Sequence, residues 1–227
     1  CQSNGWTDNY DTLTYHGRMH EDVADFVNKQ FYENQLRVAT LRQKEKLPFE
    51  KYNEEDKLQS LLAKNRIAFI PSRDLSDIGK SDKMNHAEAD RVVDLVRSLK
   101  ELYVNNGLSF DSRKTIGIIT PYRNQIALIR QKLIDANVVD ADKIMIDTVE
   151  RYQGSQRDVI IVSCCFNRFY QLRFFSNMNK EGTVDRKLNV ALTRAREQLF
   201  IIGNDILMSK NPLYQKMIEE IGLACIV

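Results

Sequence analysis

The segment LNVALTRAR, near the end of the chain, carries two arginines, Arg194 and Arg196, two residues apart. Its apolar residues recur at helical spacing, which predicts a helix over residues 185–196. At 100° per residue, Arg194 lies about 200° from Leu192 of the apolar stripe, so Arg194 is not a core residue. An arginine held at a helix end on a rigid sheet can stabilise charge on a transferring phosphoryl group. Because the two arginines point different ways, one can face a ligand while the other is solvated or pairs with an acid. The alternative is a solvated basic face.

A second segment, DTVERYQGSQRD at residues 147–158, combines hydroxyl, amide and glycine residues between two apolar runs. Gly154 allows a positive φ and a close approach of a ligand to the backbone. Thr148 can donate to a phosphate oxygen, while Gln153 and Gln156 can bind a sugar or a base edge. The alternative is an ordinary turn between two strands.

A third segment, NRFYQLRFFSN at residues 167–177, interleaves aromatic and basic residues. They are Arg168, Phe169, Tyr170, Arg173, Phe174 and Phe175. This composition suits the stacking of bases above a charged backbone. The segment can equally fill the core, which we favour for Phe174 and Phe175, while the role of Tyr170 stays open.

Residues 74–81, DLSDIGKS, imitate the end of a nucleotide-binding phosphate loop. Asp74 stands where the loop needs glycine, and its carboxylate would repel a phosphate rather than hold it. The sequence also contains no apolar strand that ends in paired acids and could hold Mg²⁺. We therefore expect the chain alone to lack the parts for nucleoside triphosphate hydrolysis.

The cysteines and histidines predict neither a metal site nor a disulfide framework. The four cysteines, at positions 1, 164, 165 and 225, form no CxxC pair. Cys164 and Cys165 follow an apolar run and are expected to be small buried residues of a strand. The three histidines, His16, His20 and His86, are scattered, which is typical of surface or capping residues.

The composition is that of a globular protein, with 43% hydrophobic and 28% charged residues among 227. This balance excludes a disordered tail, a collagen-like fibre and a coiled coil. The 33 basic and 31 acidic residues leave a net charge of +2, which by itself does not predict nucleic-acid binding. No apolar run is long enough to span a bilayer, and no signal peptide is recognisable. We expect no membrane partner, a reducing intracellular compartment such as the cytoplasm, and a chain that is a fragment.

Strand and helix patterns alternate along the chain and must position these segments. Apolar runs predict strands over residues 66–70, 115–119, 144–147, 159–163 and 199–202. Helical spacing predicts helices over residues 15–32, 85–103, 185–196 and 213–221, and one after Pro121 with Ile126, Ile129, Leu133 and Ile134 as its core. The alternation predicts an α/β fold whose mostly parallel sheet has helices on both faces.

This fold class predicts where the polar residues gather. In such sheets, ligands bind at the carboxyl ends of the strands, where Thr120, Asp147 with Thr148, and Asn167 are expected. We expect one domain over residues 1–227. Its residues 1–65 form an N-terminal helix and a charged connector broken by Pro48, and residues 66–227 form the α/β core.

Taken together, the segments resemble the C-terminal motor domain of superfamily 1 helicases, in the branch of the nonsense-mediated-decay RNA helicase. Arg18-Met19-His20, followed by Phe26 and by Phe31-Tyr32, resembles the YRMHP…F…FY segment. Residues 118–125, IITPYRNQ, resemble motif IV, residues 147–158 motif V and residues 185–196 motif VI. Asn85, Glu88 and Ala89 fit the start of the family's intervening helix. The resemblance spans roughly residues 13–205.

The resemblance implies a RecA-like domain that lacks a phosphate loop and completes the ATP site of a preceding RecA-like domain of the same natural polypeptide. That preceding domain would hold most of the ATP and Mg²⁺ contacts, so the isolated chain is expected to be inactive. Arg194 would be the arginine finger on the γ-phosphate and Arg18 a second phosphate contact, and both are our candidate catalytic residues. The remaining ATP contacts implied are Gly154 and Gln156. The contacts implied to a single strand of DNA or RNA are Thr120, Pro121, Tyr122 and Thr148.

Two departures from the family pattern concern the nucleotide base. The tyrosine that would stack on adenine is Gly17 here, so stacking must come from Tyr15 or be lost. Motif V usually carries an acid where this chain has Gln156, whose amide binds a hydroxyl group more weakly than a carboxylate does. We therefore expect relaxed base selectivity. The alternative to a motor is a non-catalytic module that uses the same fold to dock nucleic acid or protein.

Overall fold

The computed structural model describes residues 14–73, 83–172 and 185–224. Within these residues, five strands form one fully parallel sheet, in the order β3-β7-β6-β4-β5. They are β3 (Ile67–Pro71), β4 (Ile116–Ile119), β5 (Met145–Asp147), β6 (Arg157–Ser163) and β7 (Ala195–Gly203). A separate parallel pair is formed by β1 (Tyr15–His16) and β2 (Arg37–Val38). All five strands of the larger sheet occur where the apolar runs predict them.

Helices cover both faces of this sheet. The helices are α1 (Glu21–Phe31), α2 (Lys57–Lys64), α3 (His86–Asn105), α4 (Arg123–Asp135), α5 (Arg186–Leu192), α6 (Asp205–Met208) and α7 (Pro212–Ile221). Buried side chains of α1, α5 and α7 pack in one core cluster, and those of α2, α3 and α4 in a second. The predicted α/β fold, a mostly parallel sheet with helices on both faces, is confirmed.

The central strand β6 contributes to both clusters because successive side chains of a strand point to opposite faces. Ile160 and Val162 pack with α1, α5 and α7, whereas Val159 and Ile161 pack on the other face. All four side chains are buried. This explains the near-continuous apolar run, which is typical of a parallel strand covered on both sides.

The connection from β5 to β6 crosses one face of the sheet without a helix. It leaves β5 after Asp147 at the carboxyl edge and enters β6 at Arg157 at the opposite edge. Tyr152 anchors this crossing: its ring is fully buried, and its hydroxyl group donates to the Met145 carbonyl at 2.6 Å. A Cβ added to Gly117 of β4 would overlap that hydroxyl group, so glycine provides the space that the tyrosine needs.

The first helix is shorter than predicted. The sequence pattern predicts a helix over residues 15–32, but α1 begins at Glu21. Tyr15 and His16 instead pair with Arg37 and Val38. His20 then caps the helix, because its Nδ1 accepts from the backbone N–H of Asp22 at 3.2 Å.

The connector at residues 37–66 is more ordered than its charge suggests. It contains β2, a 3₁₀ turn at Leu41–Lys44 and helix α2, whose Leu62 and Gln59 are buried. In α4, Ile129 and Leu133 lie in the core as predicted, but Ile134 is 57% exposed. The prediction that Ile134 belongs to the core is therefore wrong, because it lies outside the stripe that faces the sheet.

Candidate functional site

Arg18 and Arg194 lie side by side at the edge where β6 and β7 begin. Arg194 does not lie on a helix, because α5 ends at Leu192 and β7 starts at Ala195. It occupies the turn between them, where its Nε donates to the Val190 carbonyl at 2.9 Å and Nη2 donates to Thr193 Oγ1 at 3.1 Å. The helix predicted to reach residue 196 is therefore too long. The turn holds the guanidinium group at the end of α5.

Thr193 connects the two arginines. Its backbone carbonyl accepts from Nη1 of Arg18 at 3.0 Å, and its hydroxyl oxygen accepts from Arg194. Arg18 also donates from Nε to Gln156 Oε1 at 3.1 Å. The predicted ATP-site residues Arg18, Gln156 and Arg194 are thus brought together, although they lie up to 176 positions apart in the sequence. We call Arg18 and Arg194 the arginine pair.

The arginine pair concentrates positive charge. Burial lowers the pKa of Arg194, and the positive charge of Arg18 lowers it further. Within the described residues, neither guanidinium group forms an ion pair with a carboxylate. Two neighbouring cations without an acidic partner favour a bound anion, and guanidinium groups match phosphate oxygens in geometry.

Arg196 provides the contrast. It lies two residues further along, in β7, and its Nη1 is 3.6 Å from Asp158 Oδ1. The expectation that one arginine of LNVALTRAR pairs with an acid is confirmed for Arg196. Arg194, by contrast, pairs with no carboxylate in the part of the chain that the structure describes.

Neutral polar groups and aromatic rings surround the arginine pair. Asn189 of α5 donates from Nδ2 to the Tyr32 hydroxyl oxygen at 3.3 Å. Burial lowers the pKa of His16, and the nearby positive charge of Arg18 lowers it further. Our sequence reasoning gave no role to Asn189 or Thr193, although both belong to the segment LNVALTRAR, which was the available signal.

Gly154 has the positive φ that the sequence predicts, at 81°. It is exposed, and a Cβ added there would meet no atom within 4 Å. The glycine therefore serves the backbone conformation of the turn rather than a close packing contact. It lies two residues before Gln156, the residue that contacts Arg18.

The other predicted site residues lie at the opposite edge of the sheet. Thr120 follows β4, and its N–H donates to the Asp147 carbonyl at 3.2 Å. Its side chain is fully buried, with no hydrogen-bond partner for Oγ1 among the described residues. Pro121, Tyr122 and Thr148 are half-buried. The Tyr122 hydroxyl oxygen accepts from Gln171 Nε2 at 3.2 Å.

The predicted residues therefore form two groups rather than one. As expected, Thr120 lies at the carboxyl end of β4, Asp147 with Thr148 at that of β5, and Asn167 follows β6. The arginine pair lies at the opposite edge of the sheet. Gln156 and Arg194 immediately precede β6 and β7, at the amino ends. The reason is that both residues close connections that return across the faces of the sheet.

A buried polar network lies beneath the carboxyl edge and was not identified as such from the sequence. Glu88 of α3 is fully buried, and its Oε2 accepts from the Ser163 hydroxyl at 2.7 Å and the Cys165 N–H at 2.8 Å. Its Oε1 has no hydrogen-bond partner among the described residues. Burial raises the pKa of Glu88 to about 7, although both hydrogen bonds oppose this.

Gln125 of α4 extends the same network. Its Oε1 accepts from the Asn85 N–H at 2.8 Å, and its Nε2 donates to the Asn85 carbonyl at 3.0 Å and to Ser163 Oγ at 3.2 Å. The network therefore joins the starts of α3 and α4 to the end of β6. Cys164 and Cys165 are buried, as predicted, but they follow β6 instead of belonging to it, since the strand ends at Ser163.

The described residues contain neither a metal-binding cluster nor a membrane-spanning helix. Among the described residues, no group of three His, Cys, Asp or Glu side chains could hold a metal ion. Within the same residues, no helix is both long and apolar enough to cross a membrane. The segment at 74–81 that imitates a phosphate loop, and Arg173, Phe174 and Phe175, lie outside the described residues.

Comparison with known proteins identifies the family. The sequence profile of the AAA_12 family, described as an AAA domain, matches residues 2–206. The chain belongs to this family. Its similarity to the superfamily 1 helicases, expected from the motifs, is confirmed by the relatives that match about nine-tenths of the chain.

Three relatives of this AAA domain illustrate the similarity. An uncharacterized ATP-dependent helicase of Methanocaldococcus jannaschii is 28% identical over 89% of the chain. The regulator of nonsense transcripts 1 of Dictyostelium discoideum is 33% identical over 92%, and helicase sen1 of Schizosaccharomyces pombe is 30% identical over 92%. The matched part is 28%, 14% and 11% of these proteins, respectively, so the chain spans between about a tenth and somewhat over a quarter of their length.

Proposed function

We propose that the chain is the second motor domain of an ATP-dependent superfamily 1 helicase or translocase that acts on single-stranded nucleic acid. The observation that carries this proposal is the arginine pair. Two guanidinium groups are fixed side by side by Thr193 and Gln156, without a carboxylate partner among the described residues. Such a site is ready for an anionic ligand from outside the chain.

The arginine pair fits the terminal phosphates of ATP. Arg194 would act as the arginine finger on the γ-phosphate, and Arg18 would supply a second donor. Gly154 and Gln156 would face the nucleotide beside them. ATP, with Mg²⁺, supplies the phosphoryl group whose transfer drives the motor, and the donors of this chain would stabilise the charge that develops on it.

A preceding RecA-like domain of the same natural polypeptide is the partner that this proposal requires. It would bring the phosphate loop and the acids for Mg²⁺.

We propose that residues 1–227 form one domain. Within the described residues, α1 and α2 pack on the same sheet as the elements beyond residue 66, which supports this division. We further propose an intracellular location, in keeping with the buried cysteines Cys164 and Cys165.

The strand contacts lie at the other edge of the sheet. We propose that Pro121, Tyr122 and Thr148 touch the backbone of a single strand of DNA or RNA, next to the buried Thr120. Strand β6 runs from the arginine pair to the network under these residues, since the Arg157 N–H donates to the Arg194 carbonyl at 3.1 Å and Ser163 donates to Glu88. Closure of the two motor domains on ATP would shift the sheet as a rigid body and move the bound nucleic-acid strand with it.

The test compares the isolated chain with the longest natural protein that contains it. We expect the isolated chain to hydrolyse no ATP, with or without single-stranded oligonucleotides. The longer protein should carry an upstream GxxxxGK[ST] loop and a strand ending in Asp-Glu, and hydrolyse ATP faster when a single strand is added. A natural protein without these parts and without hydrolysis would contradict the motor and favour a docking module.

A further inference from the structure

The segment that follows β6 presents two aromatic rings to solvent at the carboxyl edge of the sheet. Phe169 is 44% exposed and Tyr170 is 45% exposed, although both are large apolar residues. Two cations accompany them: Arg168 is exposed, and the Lys210 ammonium group lies 5.6 Å from the centre of the Phe169 ring. Exposed rings beside basic side chains are the combination that binds unpaired bases above a phosphate backbone.

This segment is held firmly next to the proposed strand contacts. Oε1 of Gln171 accepts from the N–H groups of Asn167 and Arg168, at 2.8 and 2.7 Å. Nε2 of the same side chain donates to the Tyr122 hydroxyl oxygen at 3.2 Å. One glutamine side chain therefore fixes both the start of the aromatic turn and its position relative to Tyr122.

The buried network holds the segment from below. Asn167 donates from Nδ2 to the Met84 carbonyl at 2.7 Å, and its Oδ1 accepts from Asn85 at 2.9 Å. The N–H of Cys165, a residue with a left-handed φ of 50°, donates to Glu88. Because the backbone is tied down at these points, the rings are presented on a fixed support, which limits the entropy lost on binding.

We propose that Phe169 and Tyr170 form a base-stacking site, with Arg168 and Lys210 as phosphate contacts, that extends the strand path beyond Tyr122. The inference rests on the proposed function and adds the residues that hold the bases. The ligand is a single strand of DNA or RNA, because stacking on a side chain needs bases that are not enclosed in a double helix.

The experiment measures equilibrium binding to the longest natural protein without nucleotide, using fluorescein-labelled dT20 and rU20 over a range of salt concentrations. We expect F169A/Y170A to weaken binding at least tenfold with an unchanged salt dependence, since stacking releases no counterions. Tyr170→Phe keeps the ring and should bind nearly as the wild type. Arg168→Ala should instead reduce the salt slope by about one.

Val104→Ala is the matched control, because Val104 is an exposed apolar residue at the opposite end of α3. It should leave binding unchanged, and thermal unfolding should show that the double variant is folded. Comparing the loss of affinity of F169A/Y170A for dT20 with its loss for rU20 shows whether the site distinguishes DNA from RNA.

Binding by folded F169A/Y170A within twofold of the wild type, on both oligonucleotides, would overturn the inference. If Tyr122→Ala nevertheless weakened binding in the same assay, the proposed function would stand without the base-stacking site. The two exposed rings would then be assigned to a contact with a protein. A wild-type protein that binds neither oligonucleotide would contradict the proposed function and this inference together. Cross-linking of 5-iodouridine-substituted rU20 to Phe169 or Tyr170, located by mass spectrometry, should agree with the binding data.

Discussion

At the scale of single residues, Thr193 and Gln156 decide how the arginine pair is arranged. Each bonds a guanidinium group through a neutral oxygen, so the positive charge is positioned but not cancelled. A carboxylate at either place would pair with the arginine and compete with phosphate. The site is therefore organised before any anion arrives, which reduces the cost of binding one.

The first prediction at this scale concerns the nucleotide base. Gly17 presents no side chain, and Tyr15 is 62% exposed, so no fixed group of these two encloses a base. Gln156 is neutral and already accepts from Arg18. We expect the longest natural protein to hydrolyse ATP and GTP with kcat/KM values within about threefold of each other, measured by phosphate release. A strict preference for ATP would be inconsistent with this arrangement.

The sequence predicted that Arg194 and Arg196 differ, but from a helix that does not reach them. They differ in the structure because Arg194 lies in the turn after α5, whereas Arg196 lies in β7. The sequence could not predict the contact of Arg18 with Gln156, since 138 positions separate them and no local pattern encodes such a pair. The resemblance also implied a contact of Thr120 with a nucleic-acid strand, whereas the structure buries the Thr120 side chain. Burial at the end of a strand depends on the neighbouring strand, which periodicity does not reveal.

At the scale of elements, the crossing between β5 and β6 carries Gln156 from one edge of the sheet to the other. Tyr152 fixes it by filling the space over Gly117. We predict that Gly117→Ala lowers the free energy of unfolding by about 1–3 kcal/mol, because the added Cβ would overlap the Tyr152 hydroxyl group and lie 2.9 Å from Arg157 Cγ. Urea unfolding measures the change.

Gly17→Ala is the comparison for that substitution, because an added Cβ there meets no atom within 4 Å. Its effect on the free energy of unfolding should stay within about 0.5 kcal/mol. Equal effects of the two substitutions would mean that the space over Gly117 is not what holds Tyr152.

The buried network predicts a pH dependence of stability. Burial raises the pKa of Glu88 from its ordinary 4.5 to about 7, so the folded protein keeps a proton that the unfolded chain releases. The contribution of Glu88 to stability is therefore fully present below pH 4.5 and is lost as the pH rises through 7. We expect the difference in unfolding free energy between wild type and Glu88→Gln to fall by up to about 3 kcal/mol from pH 4.5 to 8.

Urea unfolding at several pH values tests this, with Glu50→Gln as the control because Glu50 is exposed. The control should reproduce the wild-type pH profile. If the unfolding free energies of wild type and Glu88→Gln changed in parallel with pH, protonation of Glu88 would not be coupled to folding between pH 4.5 and 8.

The elements also show where sequence patterns are reliable. The five strands and the long helix α3 follow from uninterrupted apolar periodicity, so they could be predicted. The start of α1 could not, because pairing of Tyr15–His16 with Arg37–Val38 and the cap at His20 override helical spacing. Helix α2 was missed because a charged segment hid the few buried residues that fix it.

At the scale of the whole molecule, one parallel sheet separates the arginine pair from the proposed strand contacts. The seven-residue strand β6 spans about 20 Å between them, with the arginine turn bonded at one end and the Glu88 network at the other. Close packing on both faces makes such a sheet stiff, so a displacement at one edge is passed to the other. If the proposed function holds, closure on a nucleotide at one edge would move a nucleic-acid strand bound at the other edge.

The most direct test of the central claim is strand-stimulated ATP hydrolysis by the longest natural protein carrying Arg194→Ala, with Arg196→Ala as the matched control. We predict that Arg194→Ala lowers kcat by about 10³-fold or more while binding of single-stranded oligonucleotides persists. Arg196→Ala, which removes only the partner of Asp158, should have a far smaller effect. Hydrolysis by Arg194→Ala within tenfold of the wild-type rate would contradict the claim that this chain supplies the arginine finger of an ATP site.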